Sequence, residues 1–162
     1  MLALRFAGLL ALAVWVGGLV ALGAIAAPAI FDAVTLRQIA DGRALSGAIF
    51  GEILRRFHLV AYACAATVIG SLIIRAVLGP RPRRFAVRLA IAAVMLAATA
   101  YSGLIVSPRI ERLRTDIGVS PSSLAESDPR RAAFGQLHGL STALQFVPLM
   151  GGLLLLHFEA RE

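Results

Sequence analysis

The stretch FAGLLALAVWVGGLVALGAIAA, residues 6–27, runs without a single Asp, Glu, Lys or Arg. A bilayer core about 30 Å thick needs roughly 20 mostly apolar helical residues, each rising about 1.5 Å. This stretch meets that length. It also exceeds the roughly 7–15 apolar residues of a secretory signal. The small-residue run AIAAPA at its end (24–29) therefore reads as the close of a retained span, not as a cleavage site.

Three more stretches pass the same test: 59–78, 87–106 and 136–156, with helices opening near 57 and 132. None contains Asp, Glu or Lys, and the arginines sit at or near their edges, Arg75 the deepest. Composition agrees. The chain is 59% hydrophobic and 15% charged, against about 25% charged in a soluble domain. The spans use over half the chain and leave little for a separate soluble domain. The expected fold is an all-α, antiparallel bundle of four transmembrane helices, a single membrane domain over 1–162.

All 16 basic residues are arginine, and the net charge is +7. The arginines are scattered over several loops and form no single stripe, which argues for phosphate headgroups rather than nucleic acid as their surroundings. The lone Cys64 lies inside the second span. It allows no intrachain disulfide and reads as a small packing residue.

Prolines and glycines punctuate the chain. Pro28 and Pro108 mark the ends of the first and third spans, and Pro148 is expected to kink the fourth. Beyond Pro108, Ile110, Leu113 and Ile117 make an amphipathic piece. From Ala44, a stripe of Leu45, Ile49, Ile53 and Phe57 runs into the second span. Interfacial amphipathic helices are therefore expected in the 1–2 and 3–4 loops. Asp41 stands where it could cap the second helix. Asp128 followed by Pro129 has the form of an N-cap with proline at the first helical position.

The two halves, about 1–80 and 81–162, read alike. Each has a span, a proline (Pro28, Pro108), an amphipathic piece, a Phe-Gly (Phe50-Gly51, Phe134-Gly135), a histidine (His58, His138) and a second span. A two-plus-two repeat of this kind places the halves about a pseudo-two-fold along the membrane normal.

That repeat puts His58 and His138 in one leaflet, on the side of the long loops. Neutral imidazoles suit copper, zinc or haem iron. Arg55, Arg56, Arg130 and Arg131 lie beside them and could meet haem propionates or lipid headgroups. Against a shared site, two ligands do not define a metal centre. The competing reading makes each histidine an interfacial polar residue bonded to a neighbouring loop. His157, followed by Glu159 and Arg161, is expected at headgroup level and solvated. Met95 and Met150 read as packing residues. Gly17, Gly18, Gly135 and Gly139 are candidate helix-packing positions. With no carboxylate inside the apolar stretches, ion-coupled transport lacks its usual carrier. No Ser-His-Asp order, zinc-protease motif, phosphate loop or dinucleotide fingerprint occurs.

VWVGGLV (14–20), APAIF (27–31), SPRIERLR (107–114) and FGQLHGLS (134–141), taken in order, resemble the transmembrane-protein-205-like family. That family consists of four-span membrane proteins of largely uncharacterised function. The resemblance covers roughly residues 10 to 156. It implies a four-helix bundle and brings no catalytic residues. Trp-Val-Gly-Gly also resembles the first span of copper-resistance D-type membrane proteins.

The sequence thus points to a non-catalytic integral membrane protein acting by helix association or partner binding, with a homo-oligomer or another membrane protein as partner. The alternative is a metal- or haem-handling protein with His58 and His138 as ligands. The short loop 79–88 carries four arginines and no acid. By the positive-inside rule it lies in the cytoplasm, with both termini, in a bacterial inner membrane. The raw arginine count, seven on that side and nine on the other, runs against this orientation.

Overall fold

A computed structural model describes residues 1–39 and 41–161. Four long apolar helices form the molecule: α1 (Leu2–Leu36), α2 (Gly42–Leu78), α3 (Phe85–Ile117) and α4 (Pro129–Ala160). Each is long enough to cross a bilayer. Neighbours in sequence pack against each other, and α1 packs on α4, closing an antiparallel ring. A single 3₁₀ turn, Pro121–Ser123, interrupts the loop between α3 and α4.

The helices meet on stripes at i, i+3 and i+4 spacing. On α1 the stripe includes Gly8, Leu12, Trp15 and Leu19, and on α2 it includes Ala61, Ala65, Val68 and Leu72. On α3 it includes Ala92, Met95 and Thr99, and on α4 Pro148, Gly152 and Leu155. Trp15 is fully enclosed, and so are Ala61, Ala65 and Ala92 of the same core cluster. Without a hydrophobic drive between helices in lipid, such close packing of small against large carries the association.

Pro28 and Pro108 do not break their helices. Both α1 and α3 run through them by inserting one π turn just upstream, Leu22–Ala26 and Ser102–Val106. The N–H of Ala27 reaches back to the carbonyl of Leu22, and that of Ser107 to Ser102, five residues each. A proline clashes with the carbonyl four residues before it and offers it no hydrogen. The π turn widens the helix there and absorbs both defects. The amphipathic segments beyond, Ala27–Leu36 and Ser107–Ile117, are thus continuations of the spans, not separate interfacial helices.

Pro148 also stays inside an unbroken α4. Its missing N–H leaves the carbonyl of Leu144 without the usual helical donor. At the start of α4, the Asp128 side chain accepts from the N–H of Arg130 at 2.8 Å, the expected cap. Asp41 occupies the N-cap position of α2 in a left-handed conformation, but its side chain makes no capping bond.

Candidate functional site

The two histidines do not form a pair. His58 is buried and lines a narrow cavity inside the bundle, about 10 Å³, together with Trp15, Leu54, Phe57, Thr99, Ser102, Leu144, Gln145 and Pro148. His138 is exposed on α4, its ring stacked on Phe134 with centroids 6.2 Å apart. The buried residues of α4 begin only at Ser141, one turn beyond His138.

Around His58 the packing is close and polar. Its ring stacks on Tyr62 at 6.3 Å. Gly103, in the second π turn, lets both rings approach: a Cβ there would strike the Tyr62 hydroxyl and the His58 ring. Trp15 Nε1, the Tyr62 hydroxyl and Ser102 Oγ are buried without a hydrogen-bond partner among the described residues. A cavity of this size holds about one water molecule.

A haem macrocycle cannot enter a space of about 10 Å³. Among the described residues no group of three or more His, Cys, Asp or Glu could hold a metal ion. The arginines proposed for propionates are engaged within the chain. Arg55 and Arg56 both donate to Glu52 at 2.7–2.8 Å. Arg130 clasps Asp128 at 2.8 Å, and Arg131 donates to the Leu124 carbonyl at 2.9 Å. The residues present fit neither haem nor copper.

The glycines divide differently from the expectation. Of the four candidates, only Gly18 packs within the chain, against the Phe57 ring. Gly17, Gly135 and Gly139 have no described residue within 4 Å of where a Cβ would stand. The close intrachain approaches fall instead at Gly8 against Ser71, Gly151 against Met95 and Gly152 against Val16.

A second polar centre lies at the end of the bundle that carries both chain termini. Glu159 is 6% exposed and gathers three arginines from three helices. Arg88 Nη1 lies 2.6 Å and Arg75 Nη1 2.9 Å from its Oε1. Arg5 Nε lies 3.2 Å from Oε2. Arg5 also donates to the Glu159 carbonyl and Arg88 to that of Phe158. The guanidinium carbons of Arg84 and Arg88 sit 5.5 and 5.8 Å from the Phe158 ring centroid. Glu159 is therefore a buried hub. His157 two positions earlier is exposed.

Hydropathy alone hides this hub, because every member lies at the edge of its apolar stretch. Helical phase reveals it. Arg5 precedes Gly8 and Leu12 on the buried stripe of α1, Arg75 follows Ser71 and Leu72 on α2, Arg88 precedes Ala92 on α3, and Glu159 follows Leu155 on α4.

Residues 10–118 match the family described as a domain of unknown function, DUF4149. No curated protein and no solved structure matches the chain. The chain belongs to the DUF4149 family, and it is an integral membrane protein of four apolar helices.

Proposed function

We propose that this protein is non-catalytic and acts by helix association in the bilayer, with the outer face of α4 as its contact surface. The observation that carries this reading is the pair Gly135 and Gly139. A glycine inside a helix costs about 1 kcal/mol relative to alanine. At Gly8, Gly18, Gly151 and Gly152 that cost is offset by close packing inside the chain. At Gly135 and Gly139 it is not. One turn apart and open to the outside, they form the small-xxx-small spacing that lets two membrane helices approach closely. Thr142, Phe146, Met150 and Leu153 continue the same exposed stripe. The most apolar window of α4 is also the least buried of the four, at 22%. A second copy is the simplest partner, and a bacterial inner membrane with both termini cytoplasmic is its proposed setting.

The test is cysteine crosslinking in native membranes. In a Cys64→Ala background, a cysteine at Thr142 or Phe146 is expected to give a dimer. Gly135→Ile and Gly139→Ile should abolish it. A crosslink lost only in Gly17→Ile would move the contact face to α1. Absence of any crosslinked species at native abundance would end the association reading.

A further inference from the structure

Beside the Glu159 hub the surface opens into a cleft of about 390 Å³. Arg5, Arg75, Arg81 and Arg83 line it, and Met1, Leu2, Pro80 and Pro82 complete its wall. Clefts of roughly 300–1,000 Å³ are the size that holds small organic ligands. Among the described residues, the lining is half cationic and half apolar and contains no acid.

The arginines are held in place, not merely present. Glu159 holds Arg5 and Arg75 by ion pairs while not itself lining the cleft. Arg81 rests its guanidinium 4.8 Å from the Phe85 ring centroid. The surrounding charge points the same way. Among the described residues, this end of the bundle carries seven arginines, at 5, 75, 81, 83, 84, 88 and 161, against one acid, Glu159. The opposite end balances nine arginines with seven acids. Positive potential is therefore concentrated at the cleft end.

A guanidinium matches a phosphate by paired N–H donors. An apolar wall beside it suits a ligand whose phosphate continues into a glycerol and acyl chains. The cleft also lies where the helices leave the apolar zone, at the depth of lipid headgroups. We propose that this cleft is a binding site for the phosphate of an anionic phospholipid. It is separate from the α4 association face and stands whether or not that face dimerises.

The test uses the full chain, delipidated in detergent and titrated with phosphatidylglycerol, then examined by native mass spectrometry. The expected result is retained phosphatidylglycerol in preference to phosphatidylcholine. Arg81→Gln with Arg83→Gln, both on an exposed loop, should weaken retention by at least about tenfold. Arg109→Gln with Arg112→Gln, at the other end, should leave it unchanged. Equal loss from both pairs, or equal retention of the two lipids, would overturn the proposal. A parallel titration with inorganic phosphate separates the sources. Displacement of the lipid by millimolar phosphate would show a soluble anion site and overturn the lipid assignment.

Discussion

At the scale of single residues, the most consequential is Glu159. Two opposite charges in a low-dielectric setting gain little net energy, but removing one partner leaves the others uncompensated. Glu159→Ala strands Arg88, whose side chain is 3% exposed, beside Arg5 and Arg75. A loss of about 3–5 kcal/mol is expected, read as a lower unfolding midpoint in detergent. Glu159→Gln with Arg88→Met should recover part of it. If Glu159→Ala unfolds like the parent, the hub is ornamental. The sequence concealed this residue because an acid three positions from the C-terminus looks solvated by default. Only the four-residue step from Leu155 marks it as inward. The directions of His58, which is buried, and His138, which is exposed, were not legible in the sequence.

At the scale of elements, the two π turns invite a paired comparison. Gly23 and Gly103 hold equivalent places in them, each the second residue. A Cβ at Gly23 meets nothing within 4 Å, whereas at Gly103 it meets Tyr62 and His58. Gly103→Ala should destabilise by about 1–3 kcal/mol through overpacking, and Gly23→Ala should be tolerated. Equal effects would mean that the rings around His58 are not fixed against α3. The start of α4 supplies a pH-dependent case. Hydrogen bonds from the Arg130 side chain, then its backbone N–H, hold the Asp128 carboxyl below the usual carboxylate range. Its folded value is lowered, so the cap's contribution is present above the unfolded value and fades as pH falls through the folded one. Hydrogen exchange, corrected for intrinsic rates, should show the first turn of α4 losing protection in acid. Asp128→Ala should lose it at neutral pH. This cap was readable from Asp-Pro alone, because its geometry is local. The continuity of α1 and α3 through Pro28 and Pro108 was not, since proline ordinarily announces an end.

At the scale of the whole molecule, the four-helix architecture was legible because the bilayer imposes a length and a composition that few other settings demand. Neither fixes which way the chain faces. The four arginines of the short loop 79–88 favour a cytoplasmic setting for the termini, and the total count, seven against nine, runs the other way. Single cysteines at Ser122 and Arg83, in the Cys64→Ala background, test this in intact cells. An impermeant maleimide should label position 122 directly and position 83 only after the membrane is opened. The reverse pattern would invert the orientation.

The π turns have a consequence for helical phase. An α-helix advances about 100° per residue, so one extra residue rotates everything beyond it by about that angle. Each of α1 and α3 is therefore two differently phased rods joined end to end. Upstream of the turn, Trp15 and Met95 point into the bundle. Downstream, Val34 and Ile117 are buried on their own account. A single deletion within Leu22–Ala26 or Ser102–Val106 would remove the π turn that accommodates the proline and swing the distal rod by about a quarter turn. The loop-side ends of both helices would then turn their apolar faces away from the protein, while the membrane-spanning core stayed in register.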